Sequence, residues 1–432
     1  MRDNIDKTTK KTSQKGTMKV DKTKDNVVYV KTSEEAEEHN KEVQRQVQSK
    51  KTALWILVII GIIAAGIIIY FQVNKEYTSY KIVKSNATDY ENTANYIQFS
   101  GNLLKYTPDG VSYINSNGDT VWSAGIDMKM PMAVASGNYA VVADMSGNSV
   151  CVFSNEGQES NLTMPYSICD VDVANQGAFA VVLESEETNY INLYNKKGEI
   201  VYEIQTTIDK SGYPLDISIS DDGEKLFTSY LNIQATKVQN NLAAYNFGDV
   251  GQNSNADRMV GGYMFDNQII SKVEFVDNDT VVAFGTKTIS VYSMKEKPSE
   301  KAKLEFEQEI RSVFYSSEYF GIVQELSGDT EHLYVMKVYD MNGNLEFQEY
   351  IDFAYDNIYA ADKEVIITGN SNCLIYRANG KIKFNGNLNG KIVSMVPSGN
   401  RLEYVVVYED STEIIMLNSG EESTSLTSTE EE

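Results

Sequence analysis

An eight-fold pattern recurs through the part of the chain that follows its one long apolar run. Each unit has a β-rich run, a turn with polar residues or glycine, a very apolar run, and a second apolar run ending in an aromatic residue. Aligned at the turn, successive units lie 36 to 56 residues apart, at Gly101, Gly137, Gly177, Gly223, Asp279, Glu318, Lys363 and Gly399. Such a period indicates one supersecondary unit per repeat.

The composition of the units indicates β-structure. Val, Ile, Tyr, Phe and Thr dominate, and apolar residues alternate with period two, which excludes helical repeats. Pairs such as Asn117-Gly118 and Asn342-Gly343 favour tight hairpins between strands. Four short strands per unit match the size of a propeller blade. The sequence therefore predicts an all-β fold, a β-propeller of eight blades, or of seven if the first unit is only partial.

The last unit lacks an outer strand. Seven units end with a fourth strand, whereas the last stops at Leu417 and runs into a polar, acidic tail. A closed ring needs this sheet edge to be covered. We expect the covering strand to come from the N-terminal side, at Tyr80–Val83.

An uncharged run of 19 residues, Ala53–Phe71, precedes the units. At ~1.5 Å per residue, a helix of this length matches the hydrocarbon core of a bilayer. Trp55 and Tyr70 stand near its ends, where aromatic rings favour the membrane interface. The run is too long and starts too late for a cleaved signal peptide. We interpret it as one uncleaved transmembrane helix.

Charge is distributed unevenly around this run. Residues 1–51 hold 13 basic and 9 acidic side chains, a net of +4, and the rest of the chain holds 25 and 52, a net of −27. The positive-inside rule then predicts a cell-membrane protein with a cytoplasmic N-terminus and an extracellular C-terminal domain. The acidity of this domain also argues against nucleic acid as a partner, because nucleic acid is itself negatively charged.

These features predict a domain layout. The predicted segments are a disordered cytoplasmic tail (1–31), a polar juxtamembrane helix (32–52), the transmembrane helix (53–71), a linker that includes the ring-closing strand (72–89), the propeller (90–418) and a disordered acidic tail (419–432).

Familiar catalytic motifs do not occur in the sequence. It has two histidines and lacks a G-x-S-x-G elbow, an H-E-x-x-H pair or a P-loop. Asp170-x-Asp172 and Asp277-x-Asp279 lack the carboxylate count and spacing of an EF-hand loop, so we interpret them as turn residues rather than calcium ligands. The sequence predicts no catalytic, cofactor-binding or metal-ligating residue, and no cofactor.

The fourth unit is the longest, and its extra residues, 248–265, read GDVGQNSNADRMVGGYMF. A Gly/Asn/Asp-rich loop on a rigid scaffold is typical of recognition, and an insertion that merely covers the blade edge is the other interpretation. The candidate recognition residues are Asp249, Gln252, Asn253, Asn255, Asp257, Arg258 and Tyr263.

Four segments in fixed order resemble a known family: DGVSYINSNGDTVWS (109–123), YAVVADMSGNSVCVF (139–153), YNFGDVGQN (245–253) and DRMVGG (257–262). They are similar to the propeller family catalogued as domain of unknown function 5711. The resemblance extends from the apolar run to Leu417, and GDVGQN is its most specific part. It implies a single-pass, membrane-anchored protein of Gram-positive bacteria, with no assigned activity and no catalytic residue.

Three functions are compatible with these features. The first is a membrane-anchored scaffold that binds an envelope protein or a cell-wall polymer. The alternative is a polysaccharide-acting enzyme with acidic residues at the propeller axis, which predicts a central pocket holding two acids of raised pKa. The third is a structural member of a cell-division or secretion assembly. The sequence does not indicate an oligomeric state.

Overall fold

The computed structural model describes residues 33–87, 94–186, 188–234, 237–254, 256–328, 332–361 and 363–420. The chain divides into two compact units, Met1–Val73 and Asn74–Glu432. The tail predicted at 1–31, and all but the first two residues of the tail predicted at 419–432, lie outside the described residues.

The first unit contains a helix, α1 (Ser33–Val73). The sequence has no proline in this range and no glycine before Gly61, so nothing interrupts the helical hydrogen bonds. From Glu38 onward, α1 is long and apolar enough to cross a membrane by length and composition, a property that anchors and signal sequences share. Its apolar side chains are not covered by other parts of the described chain; Phe71, for example, is 69% exposed.

The second unit is built from four-stranded antiparallel sheets, and the described residues form eight of them. Blade 1 has β2 (Asn95–Phe99), β3 (Asn102–Tyr106), β4 (Gly110–Ile114) and β5 (Thr120–Gly125). Blade 2 has β6 (Pro131–Ser136), β7 (Tyr139–Asp144), β8 (Ser149–Ser154) and β9 (Gly157–Thr163). Blade 3 has β10 (Ser167–Val173), β11 (Phe179–Glu184), β12 (Thr188–Tyr194) and β13 (Ile200–Thr207). A short helix, α2 (Ile208–Ser211), leads to blade 4, which has β14 (Tyr213–Ile219), β15 (Lys225–Gln234), β16 (Lys237–Asn246), helix α3 (Asp249–Ser254) and β17 (Met259–Asp266).

The remaining blades repeat this order. Blade 5 has β18 (Ile270–Asp277), β19 (Thr280–Gly285), β20 (Thr288–Ser293) and β21 (Ser299–Glu305). Blade 6 has β22 (Ser312–Tyr315), β23 (Tyr319–Glu325), β24 (Tyr334–Asp340) and β25 (Leu345–Ile351). Blade 7 has β26 (Asn357–Ala361), β27 (Glu364–Gly369), β28 (Asn372–Arg377) and β29 (Ile382–Asn387). Blade 8 has β30 (Ile392–Pro397), β31 (Glu403–Tyr408), β32 (Ser411–Asn418) and, as its outer strand, β1 (Ser79–Ala87).

The predicted eight-blade propeller is confirmed, and so is the alignment of its units. Each aligned turn position lies between the first and second strands of its blade. Five of the eight are glycines with φ between +55° and +87°, a backbone region that favours glycine. The blade repeat can therefore be recognised from turn chemistry as well as from apolar runs.

The ring closes through β1, which comes from the N-terminal side of the propeller. It pairs antiparallel with β32, in a register that sets Tyr80 opposite Leu417. Just before it, the Tyr77 amide donates to the Lys383 carbonyl in blade 7, at 2.9 Å. A strand far away in sequence thus covers the edge that blade 8 would otherwise expose.

The core lies between blades, so the middle strands are apolar on both faces. Val141 and Val142 are neighbours in β7 and are both fully buried. Val141 packs against Phe179 and other residues of blade 3, whereas Val142 packs against Leu104 and other residues of blade 1. Because successive side chains of a strand point to opposite faces, one run of the sequence supplies two blade interfaces.

The two faces of the ring can be told apart by their connections. The front face carries the connections between first and second strands and between third and fourth strands of each blade. The segment before β1 lies on this face, because the Arg377 guanidinium donates to the Lys75 carbonyl there. The back face carries the connections between second and third strands and those from blade to blade.

Candidate functional site

The first strand of each blade lines the propeller axis, and the charges on these strands are confined to three neighbouring blades. The charged residues are Asp170 and Asp172 of β10, Asp216 of β14, and Lys272, Glu274 and Asp277 of β18. The described inner strands β2, β6, β22, β26 and β30 contain no Asp, Glu, Lys or Arg. The axis therefore has a charged half, formed by blades 3 to 5, and an uncharged half.

The carboxylates of blade 3 bond to the main chain of the next blade. Asp170 accepts a hydrogen bond from the Ile217 amide at 3.0 Å, and Asp172 accepts one from the Ile219 amide at 2.8 Å. The Ser218 hydroxyl also donates to Asp172, at 3.1 Å. Period-two alternation places both aspartates on the same side of β10.

Blade 4 repeats this arrangement toward blade 5. Asp216 accepts a hydrogen bond from the Val273 amide at 2.7 Å, and the Ser218 hydroxyl accepts one from the Phe275 amide at 2.9 Å. Side chains at the axis thus hold three consecutive inner strands together. This arrangement satisfies main-chain amides that no strand of the same blade can reach.

Burial strongly perturbs the titration of these acids. It raises the pKa of Asp170 and of Asp172 to about 7, and that of Asp216 to about 8. Lys272 offsets part of the effect of burial on the Asp216 pKa. Removing a carboxylate from water disfavours its charged form, and here this effect outweighs the hydrogen bonds from main-chain amides.

We call Asp170, Asp172, Asp216, Lys272, Glu274 and Tyr315 the axial group, and Lys272 is its cation. Its ammonium lies 3.0 Å from the Glu274 carboxylate and 5.4 Å from the centre of the Tyr315 ring. Burial opposes the charge of Lys272, but Glu274 and the other neighbours outweigh it and raise the Lys272 pKa. Lys272 therefore stays protonated within the group of acids.

An axial cavity of about 590 Å³ lies beside this group. Its lining comes mainly from the uncharged half of the axis and includes Tyr96, Gln98, Phe314, Asn357 and Ser394. Lys272 is the charged member of the lining, and none of the lining residues is an acid. The perturbed carboxylates thus lie at the axis, but this cavity is bounded by aromatic, amide and aliphatic groups.

The turn interpretation is wrong for Asp170 and Asp172, which lie within β10. It fits the other pair: Asp277 ends β18, and its carboxylate accepts the amide of Asp279 in the following turn at 2.7 Å. Among the described residues, no three His, Cys, Asp or Glu side chains form a group that could hold a metal ion. The same Asp-x-Asp spacing therefore arises in two ways: from alternation along a strand in Asp170 and Asp172, and from a turn in Asp277 and Asp279.

The sequence did not identify Asp216, Lys272, Glu274 and Tyr315 as members of a site. A signal does exist, because the Asp-x-Asp of β10 recurs as Asp216-x-Ser218 in β14 and Lys272-x-Glu274 in β18. Each pair stands on the same side of the first strand of its blade. Polar residues two apart before the aligned turn would have indicated an axial group.

The exposed part of the candidate recognition loop lies on the front face of blade 4. Asp249, Gln252 and Asn253 are exposed in α3, and Asp257 is exposed after it. Asn255 lies outside the described residues. These polar side chains are therefore available for contacts with a partner.

Arg258 and Tyr263 have structural contacts instead. The Arg258 guanidinium lies 5.7 Å from the centre of the Tyr202 ring in blade 3. The Tyr263 hydroxyl donates to the Pro298 carbonyl in blade 5 at 3.1 Å, and its ring lies 4.5 Å from that of Tyr292. These two residues join blade 4 to its neighbours on either side.

The family described as "Family of unknown function (DUF5711)" matches residues 73–417. None of the curated proteins matches the chain.

Solved structures resemble the propeller at low sequence identity. Saccharomyces cerevisiae Sqt1 is 11% identical, with a TM-score of 0.50 over 79% of this chain and 99% of that one. BamB from Moraxella catarrhalis is 10% identical, with a TM-score of 0.47 over 78% and 100% of the two chains. The Neurospora crassa Pan2 WD40 domain is 9% identical, with a TM-score of 0.43 over 68% and 90%. At such identity, the similarity to Sqt1 supports the fold alone.

Proposed function

We propose that this chain, which belongs to the family of unknown function DUF5711, is a membrane-anchored scaffold. In this proposal its propeller lies outside the cytoplasm and binds an envelope protein or a cell-wall polymer. The observation that carries the proposal is a closed propeller that follows, in the same chain, a helix long and apolar enough to cross a membrane. A helix of that kind would hold a rigid binding surface at the membrane.

The front face of blade 4 supplies the proposed binding surface. The connection that carries α3 is fixed at both ends, because the Phe247 amide donates to the Glu224 carbonyl at 2.8 Å and the Asn246 amide to the Arg258 carbonyl at 3.0 Å. Between these bonds, Gln252 and its polar neighbours are exposed. A fixed loop loses little entropy when it binds, which favours recognition.

Cysteine labelling tests the membrane side. Asn253→Cys places a thiol on exposed α3, and Gln46→Cys places one on the exposed polar part of α1. With Cys169 replaced by Ala, we expect a membrane-impermeant maleimide to label Asn253→Cys on intact cells, and Gln46→Cys only after permeabilisation. The reverse pattern would contradict the proposed side.

Photo-crosslinking from position 252 tests the binding surface. Once the crosslinked partner is identified, alanine replacement of Asp249, Gln252 and Asn253 in the chain without the crosslinker should abolish non-covalent retention of that partner. The matched control replaces residues 295–297 with alanine; these exposed residues form the equivalent connection of blade 5. Equal retention by both variants would contradict a role for the loop.

The acids at the axis favour a second candidate, a polysaccharide-acting enzyme. Its supporting observation is the raised pKa of Asp170, Asp172 and Asp216, as expected of a general acid. Against it, each of these carboxylates accepts a main-chain hydrogen bond from the next blade. Release of reducing ends from cell-wall polysaccharide, abolished by Asp216→Asn, would favour the enzyme over the scaffold.

A further inference from the structure

A second cavity, of about 430 Å³, lies at the outer edge of blade 4, away from the axis. We call it the rim cleft. Its lining includes Lys210 of α2, Tyr230 of β15, Asn241 and Tyr245 of β16, and Gly262 and Met264 of β17. Its volume falls within the range of small-molecule sites.

Polar groups with unused hydrogen-bonding capacity lie among the residues that line the cleft. The Asn241 side-chain carbonyl is buried in the lining and has no hydrogen-bond partner among the described residues. The Tyr230 and Tyr245 hydroxyls lie 3.3 Å apart, and the Tyr245 hydroxyl still has capacity for a further hydrogen bond. A buried polar group that makes no hydrogen bond is costly, so a bound molecule at the cleft would stabilise this arrangement.

Asn189 adds an independent observation behind the cleft. It is fully buried, and neither its amide nitrogen nor its carbonyl oxygen has a partner among the described residues. Alternation along β12 places it on the same side as Ile191, which packs in one core with Tyr230 and Tyr245. The interface between blades 3 and 4 thus holds unused hydrogen-bonding capacity next to an open cavity.

The charge of the lining selects the class of ligand. Lys210, which is exposed, is the only charged residue among those that line the cleft. The cleft therefore lacks both the carboxylates that a metal ion needs and the cluster of cations that a phosphate needs. Met264, 74% exposed, adds an apolar surface at the rim. Hydroxyl and amide groups beside an apolar surface suit a neutral ring that carries several hydroxyls.

We propose that the rim cleft binds a neutral saccharide. The Asn241 side-chain carbonyl accepts a hydrogen bond from one hydroxyl of the sugar, and the Tyr245 hydroxyl donates one to another. Met264 packs on the apolar face of the sugar ring. Gly262 lets β17 lie close to β16 in the wall of the cleft, because a Cβ at this position would lie 2.2 Å from the Leu242 carbonyl oxygen. The cleft shares Gly262 and Met264 with the segment 248–265 but none of the exposed residues of α3, so it is tested apart from the proposed binding surface.

Binding of two neutral trisaccharides, chitotriose and maltotriose, tests this site. The full-length protein in detergent micelles is titrated with each by calorimetry, alongside saturation-transfer NMR. We expect at least one to bind, and Tyr245→Phe and Asn241→Leu each to weaken binding about tenfold, the effect of one lost hydrogen bond. Tyr292→Phe is the matched control, because it removes a buried hydroxyl from the interface between blades 4 and 5.

Each outcome decides the proposal. Binding that Tyr245→Phe weakens and Tyr292→Phe does not would support it, and the conservative Tyr245→Phe guards against misfolding of Asn241→Leu. Binding that neither Tyr245→Phe nor Asn241→Leu changes would overturn it. So would absence of binding by both trisaccharides, or a crystal grown with the bound trisaccharide in which the cleft holds only water.

Discussion

Replacing Asp216 with asparagine should make the propeller more stable at alkaline pH. Burial raises the pKa of Asp216 to about 8, so the folded protein keeps a proton that the unfolded chain releases near pH 4. Because the pKa of Asp216 is higher in the folded protein than in the unfolded chain, its contribution to the free energy of unfolding is greatest at low pH. This contribution is lost as the pH rises from about 4 to about 8. Asparagine can still accept the Val273 amide, bonded at 2.7 Å, and it cannot ionise.

The magnitude follows from the size of the shift. A gap of about four pKa units, at about 1.4 kcal/mol each, is roughly 5 kcal/mol of unfolding free energy between pH 4 and pH 9. Asp170 and Asp172, whose pKa is raised to about 7, contribute in the same direction. We expect Asp216→Asn to exceed the wild type by at least about 2 kcal/mol at pH 8.5 and to match it at pH 5.

Tryptophan fluorescence during urea unfolding measures this difference. The chain has two tryptophans, and Trp55→Phe leaves Trp122 as the reporter in the propeller. The Trp122 ring lies 5.4 Å from that of Phe153 and 5.7 Å from that of Tyr113, so unfolding moves it from a packed stack into water. The full-length protein in detergent is compared at the two pH values.

Asp127→Asn is the control, because it removes one negative charge from an exposed position. It corrects for the general repulsion of a chain whose net charge is −23. If the wild type were as stable at pH 8.5 as at pH 5, or if both variants gained equally, Asp216 would carry its charge in the folded state at no cost, and the reasoning would fail.

Three further predictions concern the rest of the fold. Lys383→Met should cost about 3–5 kcal/mol of unfolding free energy, because it removes the ion-pair partner of the part-buried Glu364 carboxylate. Adding Glu364→Gln should restore part of the loss, and an unchanged urea midpoint would refute the pairing. Deletion of Ser79–Ala87 should produce oligomers on size-exclusion chromatography through the exposed edge of blade 8, and a stable monomer would contradict ring closure by this strand. Gly251→Ala should speed hydrogen exchange in α3 alone, since its Cβ would lie 1.6 Å from the Asn246 carbonyl oxygen; unchanged exchange would show that the close approach is dispensable.

The blade count was predictable because it depends on local chemistry. Gly137 and Gly177 take a positive φ in the first turn of their blades, and this requirement is independent of the neighbouring blades. The runs after these turns, such as that around Val141 and Val142, are apolar on both faces because every blade lies between two others. Local signals that repeat eight times can be recognised even where Glu318 replaces glycine.

The axial group was less predictable, because it depends on how blades meet. Asp172 contacts Ser218 and Ile219, 46 and 47 residues further along the chain. Within its own strand, Asp172 is simply one polar residue in an alternating pattern, and Asp-x-Asp also occurs in turns. Its burial and raised pKa follow from the curvature of the ring, which places three inner strands side by side at the axis. The order of residues along the sequence does not show that these three inner strands lie side by side.

The irregular features of the propeller lie in blades 3 to 5, and the way that blades pack explains why the ring tolerates them there. Each blade packs only on its two neighbours, so a change within one blade leaves the closure of the ring intact. Blade 4 has long second and third strands, is preceded by α2 and contains α3, while Asp170 and Asp216 tie it to both neighbours at the axis. The axial bonds fix the inner end of this blade, and its outer end is then free to carry α3 and the rim cleft. Recognition surfaces are therefore to be expected at the rim and front face of blade 4, where structural variation costs the ring least.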